Sequence, residues 1–540
     1  MRNWEEDEIS PTLSKSSTKT RSETKSETQV ETKQELSQPP VRGLTRSPRM
    51  TDIRAHGGDI EDSKEVAAST DESIPALVTI WDEARVKQLR LKLDLRLLPY
   101  LWLIYMFCFL DRTNIGNARL FELEKDLGMK GLDYNVASSI LFPPYALAEI
   151  PANIILKRMH PGLWFTIIMI TWSTLTIITG FVKNYPGLLT CRVFLGLAEG
   201  DLFPGVCFYI TSWYPRNETG LRMALFFSAS PIAGAVGGFL ARGIGMMNGV
   251  GYRDAWSWVF ILEGAATFVV SLGCLFFISD YPDKAKFLTE EEKSEVKRRL
   301  AAENDLSNAF SWQYVRDALT DWKIWAIALV SMMLFTGLYS ISLFLPTILK
   351  DLGYSTNKTQ LMTVPVYLVA ATFTIAVSYT ADRVNQRGIF MLGAELVSII
   401  GFLMLIISKS AAVQYAGTFF AAAGIYSLVP LIGAWNSNNI GGSTKRAVGI
   451  AMQVGCGNLG GTIAGFIYLP KNAPRFHTGH SILLSLTLAA FCITLAMTVY
   501  YRRENAQRAR LLELGSFTPE MLKAQEEELG DKAITFKYTI

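Results

Sequence analysis

Twelve apolar stretches of roughly 20 residues recur between Leu97 and Tyr501. At a rise of ~1.5 Å per residue, each is long enough to cross a hydrocarbon core of ~30 Å. They are expected at about 97–117, 135–156, 163–182, 187–212, 222–245 and 256–278, then 324–345, 361–381, 389–407, 414–436, 446–468 and 481–501. In lipid the backbone has no water to bond, so each stretch must close its hydrogen bonds as a helix. The fold class that follows is an all-α membrane protein with twelve transmembrane helices. Only 19% of the 540 residues are charged, below the ~25% of soluble domains, and they crowd into the two ends and the middle. A net charge of +3 gives no electrostatic case for a nucleic-acid partner.

The polar segments divide the chain. Residues 1–80 are rich in Ser, Thr, Lys and Glu and are expected to be a disordered cytosolic tail. Residues 81–96 (WDEARVKQLRLKLDLR) have the basic, amphipathic character of an interfacial helix. Two six-helix halves follow, 97–278 and 322–501. Between them lies a cytosolic central loop, 279–321, with a solvated helix around Glu290–Arg299, and residues 502–540 form a cytosolic C-terminal tail. An even number of spans puts both termini on one side. The excess of Lys and Arg there makes that side cytoplasmic, with the plasma membrane the expected location. All six cysteines fall within apolar runs and read as packing residues.

The halves repeat at an offset of about 225 residues, as between Arg158 and Arg383. Lys157-Arg158 after span 2 corresponds to Asp382-Arg383 after span 8, and Gly162 to Gly388. Leu221 to Ala224, opening span 5, corresponds to Lys445 to Val448, opening span 11, and glycine-rich continuations follow both. Parallel repeats of six helices joined by a polar loop are the organisation of a rocking transporter.

Ionisable groups inside such spans are costly and mark function. Asp111 lies ~21 Å from the inner end of span 1 and Arg192 ~8 Å below the outer end of span 4, so the two share a depth. An Asp111–Arg192 pair is therefore expected, leaving Arg112 to face a substrate. Glu199 follows Arg192 by two turns on one face, which makes an arginine that binds an anion and a carboxylate that takes its proton. The four histidines fall in the tail or in loops, so carboxylates must serve if protons are moved, Glu199 first among them. Tyr339 and Asn436 join Arg112 and Arg192 as candidate substrate contacts, with Ser342, Asn439, Gln453 and Asn458 as softer polar candidates. Asp382, Arg383 and Arg387 read as a cytoplasmic latch, while Glu263 and Glu395 read as packing braces. Glu149 and Asp201 divide evenly between a gate and loop contacts. No nucleophile elbow, Walker A sequence, zinc spacing or dinucleotide fingerprint is present, and no enzyme activity is expected.

These residues sit in recognisable segments: DLRLLPYLWLIYMFCFLDRTNIGNARL, CRVFLGLAEGDLFPG, WVFILEG, YPDKAKFLTEEEK, WNSNNIGGSTKRAVGIAMQ and the terminal LGDKAITFKYTI. Over roughly residues 88–540 the chain resembles the major facilitator superfamily, and within it the anion:cation symporters of the fungal allantoate permease group. The resemblance implies that the arginines at 112 and 192 handle a carboxylate and that Asp111 and Glu199 take part in proton coupling. Asp201 departs from the pattern, standing where many relatives carry an uncharged residue.

The expected function is secondary active transport: proton-coupled import of a small organic anion, such as a carboxylate vitamin or ureide, by alternating access. The proton gradient is the driving force, no cofactor or metal is needed, and the chain works as a monomer in the bilayer. An exporter or proton antiporter of a toxic compound, and a nutrient sensor on a transporter fold, are the alternatives.

Overall fold

Nineteen α-helices account for the regular architecture of the computed structural model, which describes residues 81–156, 158–304, 312–515 and 517–540. The expected disordered tail, 1–80, lies outside the described residues. In the first half run α1 (Glu83–Arg119), the short α2 (Leu123–Asp126), α3 (Asp133–Ser139), α4 (Phe142–Leu156), α5 (Pro161–Thr179), α6 (Tyr185–Glu199), α7 (Leu202–Thr211), α8 (Arg216–Phe227), α9 (Ala229–Gly245) and α10 (Ala255–Phe277). The connecting segment holds α11 (Glu290–Asn304) and α12 (Trp312–Thr320). In the second half run α13 (Trp322–Asp351), α14 (Thr356–Val384), α15 (Gly388–Ile407), α16 (Ala411–Asn438), α17 (Ser443–Ala464) and α18 (His477–Leu514), with α19 (Pro519–Leu529) beyond it.

Ten helices, counting α6–α7 and α8–α9 as one rod each, are long and apolar enough to cross a membrane. Each coincides with an expected span. The remaining two spans are helical but fall short for physical reasons. Span 2 breaks between Ser139 and Phe142 into α3 and α4, while α17 dilutes its apolar face with Lys445, Arg446, Gln453 and Asn458. These two helices face each other across the halves. Asn135 of α3 donates to the Gly465 and Tyr468 carbonyls after α17, and Ser139 donates to the Thr462 carbonyl at 3.0 Å. Another close inter-half pair is α9 with α14. A Cβ on Gly238 would lie 2.3 Å from Thr363 Oγ1, so only glycine permits this approach. Span 2 is the repeat counterpart of span 8, and span 5 of span 11, so the two crossings are equivalents of one another.

Two boundaries differ from expectation. Residues 81–96 are not a separate interfacial helix: nothing breaks the helix before Arg119, and they form the first turns of α1. Their polar face is held by protein rather than headgroups, through Arg85–Glu291 (2.6 Å) and Lys92–Glu292 (2.7 Å) to α11 and a two-pronged Arg222–Asp94 pair from α8 (2.8 Å each). Nor are residues 502–540 simply a tail. Residues up to Leu514 continue α18, and residues 530–540 fold back onto the second half. Asp531, only 2% exposed, bonds Lys323 (2.5 Å) and Lys445 (2.6 Å), and Tyr538 stacks on Tyr501 at 4.6 Å. Arg508 donates to the carbonyls of Asp531, Ala533 and Phe536, and the Arg387 backbone N–H donates to Ile540 O at 2.6 Å. Burial alone pushes the Asp531 carboxyl up, but the two lysines outweigh it and hold the group below its ordinary range.

Candidate functional site

Adjacent residues on an α-helix point ~100° apart, and this angle sorts Asp111 from Arg112. Asp111 turns into the first half, where its Oδ2 accepts from Trp172 Nε1 of α5 (3.2 Å) and Thr267 Oγ1 of α10 (2.7 Å). Arg112 turns toward the centre, where its Nε and Nη2 both donate to Glu199 Oε2, at 3.0 and 2.9 Å. The expected Asp111–Arg192 pair is therefore replaced by Arg112–Glu199. Depth along the axes was compatible with either, and the rotational position of α1 decides. Arg192 instead donates to Asn114 Oδ1 at 3.3 Å and sits over the Phe260 ring at 5.6 Å. No Arg192–carboxylate ion pair forms among the described residues, and its Nε has no partner.

Glycine brings α6 close enough to place Glu199. A Cβ on Gly196 would lie 2.2 Å from the Leu141 carbonyl oxygen, and one on Gly200 2.6 Å from that of Tyr145. With those positions bare, α6 lies against the α4 backbone. Tyr145 is thereby delivered beneath Arg112, whose guanidinium carbon is 4.6 Å from the ring centre. The second half contributes Tyr339 from α13. Its hydroxyl accepts from Arg112 Nη1 (3.1 Å) and donates to Asn458 Oδ1 of α17 (2.9 Å), while Asn458 lies within hydrogen-bonding reach of Glu149 on α4. One chain of polar contacts thus runs Glu199–Arg112–Tyr339–Asn458–Glu149, crossing between the halves twice. All five side chains are at most 3% exposed.

The structure brings Arg112, Glu199 and Tyr339 together, with Arg192 and Asp111 in the layer behind them. Asn436 does not join them, because its amide bonds Gln453 and the Gly449 carbonyl. Of the expected latch, Asp382 and Arg387 pair at 2.7 Å against α8, where a Cβ on Gly220 would lie 2.6 Å from the Arg387 guanidinium. Arg383 turns away to its own helix, over the Tyr379 ring. His480, expected in a loop, lies buried in the first turn of α18 and contacts the Tyr468 hydroxyl at 3.0 Å. Sequence reasoning passed over Tyr145, Asn114, Trp172 and Thr267. Asn114 alone carried a signal, standing one turn beyond Asp111 on the same face.

The halves also touch away from the arginine layer: α3 and α4 against α17, and Asp382 and Arg387 against Gly220 of α8. A buried guanidinium with a spare donor (Arg192 Nε) and an unpartnered Tyr145 hydroxyl can hold an anion where water is excluded.

Comparison with known proteins agrees with this architecture. Residues 101–465 match the family model described as the Major Facilitator Superfamily. An MFS-type transporter of Penicillium expansum is 34% identical over 91% of this chain and 98% of its own length. The high-affinity nicotinic acid transporter of Saccharomyces cerevisiae is 30% identical over 89% of both chains. Among solved structures, a proton:xylose symporter superposes with a TM-score of 0.58 over 74% of this chain and 95% of its own, at 14% identity, a likeness of fold alone.

Proposed function

Because the chain belongs to the Major Facilitator Superfamily and is a multi-pass membrane transporter, we propose that it imports a small organic anion together with protons. The observation that carries this reading is the pair of buried guanidinium groups, Arg112 and Arg192, 3% and 2% exposed in the middle of a lipid-embedded bundle. Two fixed positive charges at that depth are costly, and a negatively charged cargo gives them a use. Arg192 has no carboxylate of its own and is the natural anchor. Arg112 is the exchangeable partner: a solute carboxylate takes its place beside the guanidinium as Glu199 is released to accept a proton. Tyr339 and Asn458, from the other half, report that event across the interface by losing or keeping their contact with Arg112.

Cargo class follows the same chemistry. A planar carboxylate suits a guanidinium fork flanked by the Tyr145 and Tyr339 rings. The nicotinic acid transporter among the relatives and the resemblance to allantoate permeases favour carboxylate vitamins or ureides. Cytoplasmic termini and a plasma-membrane location complete the proposal. The test is uptake of labelled nicotinate, then of a panel of carboxylate vitamins and ureides, into cells carrying the chain under an inward proton gradient. Arg112→Ala and Arg192→Ala abolish uptake of whichever carboxylate is carried. Full uptake in both variants rules the site out.

A further inference from the structure

We propose that Glu263 is a resident proton site of the first half, kept protonated behind the arginine layer and linked to Arg192 through Asn114. The inference rests on the proton-coupled reading above and adds a group to it.

Charge around the two arginines does not balance. Three buried acids, Asp111, Glu199 and Glu263, stand with two buried cations, Arg112 and Arg192, while the other buried acids of this half, Glu149 and Asp201, face Asn458 and Trp164 instead. Three carboxylates against two guanidinium groups leave one negative charge in a medium that cannot solvate it, and one proton removes it. The surroundings decide which acid holds that proton. Glu199 receives two donors from Arg112, and Asp111 receives two neutral donors, and each of these donors favours the charged form of its acceptor. Glu263 has neither: among the described residues no cation lies within ion-pair distance, and neither carboxyl oxygen makes a well-formed hydrogen bond.

What faces Glu263 completes the case. From α1 come Asp111 and the Asn114 side chain, and Arg192 of α6 donates to the Oδ1 of that same Asn114. The charged group of α9, Arg242, is exposed, and α5 offers no charged side chain. Asn114 gives its Oδ1 to Arg192 and lies beside Glu263. An anion drawn to Arg192 therefore disturbs Asn114, the neutral polar side chain beside Glu263, which ties the proton to cargo arrival.

The experiment is infrared spectroscopy of the purified full chain in lipid nanodiscs at neutral pH, reading the carbonyl stretch of protonated carboxyl groups. In the unsubstituted chain a slowly exchanging band is present. Glu263→Gln removes it without lowering the melting temperature, since glutamine is a neutral isostere, and Glu395→Gln leaves it in place. Retention of every such band in Glu263→Gln, or a lower melting temperature with no band lost, overturns the proposal. If Glu263→Gln does not fold, Glu263→Asp shifts the band, and an unshifted band overturns it equally. No cargo or gradient is used, so failure here leaves the transport reading standing. Failure of nicotinate and panel uptake likewise leaves the spectrum to be judged alone.

Discussion

At the residue scale, one ion pair organises the centre. Both charges of Arg112–Glu199 are out of water, and breaking a buried pair by removing one partner costs about 3–5 kcal/mol because the other is stranded. Glu199→Gln keeps the shape and removes the charge. It is expected to lower the melting temperature and to abolish gradient-driven accumulation while leaving part of the exchange flux. Unchanged accumulation contradicts the coupling role. The Tyr339 hydroxyl bridges Arg112 to Asn458, and hydrogen bonds to charged groups are worth about 1.5–3 kcal/mol. Tyr339→Phe retains the ring and is expected to raise the uptake KM by ~10-fold or more. An unaltered KM separates Tyr339 from the site. The identities of these residues were legible in the sequence, since charge inside an apolar run stands out. Their pairing was not: spacing along a span gives depth, and two arginines at suitable depths compete for two acids until rotation about the helix axis is known.

Among the elements, the C-terminal return of residues 530–540 was the least foreseeable. Asp531 lies in a polar segment like any surface acid, and nothing local marks it as the partner of Lys323 and Lys445, both more than 80 residues away. Asp531→Ala leaves Lys323 and Lys445 to share Asp321 alone, with a cost of about 1–3 kcal/mol, seen as a lower melting temperature and faster carboxypeptidase removal of the end. The pH dependence has a definite sign. A carboxyl whose folded pKa is depressed contributes in full above its unfolded value, ~3.9. The contribution is lost as pH falls through the lower folded value. Protection of the end is therefore flat at neutral pH and declines only in acid. A decline on going alkaline contradicts the assignment. The spans were mostly legible because a run of ~20 apolar residues has no other use, whereas the break in span 2 and the polar face of α17 reflect helices that meet the other half rather than lipid.

On the scale of the whole molecule, the repeat and the inter-half contacts suit the alternating access proposed above. Spans 2 and 11 meet at Ser139 and Gly465, where a Cβ on Gly465 would be 3.1 Å from Ser139 Cβ. That separation is near the ~3.5–4.5 Å of a disulfide. Ser139→Cys with Gly465→Cys, on a background without native cysteines, is expected to cross-link and arrest transport until reduced. Undiminished transport in the cross-linked protein contradicts alternating access about this pair. The central claim is that the buried arginines are there for a negatively charged cargo. It is tested most directly by paired uptake of labelled carboxylates and their uncharged amides into proteoliposomes under an inward proton gradient. The expected result is that a carboxylate accumulates and its amide does not, with the difference lost in Arg192→Ala; accumulation of amides alone, or of both forms equally, contradicts it.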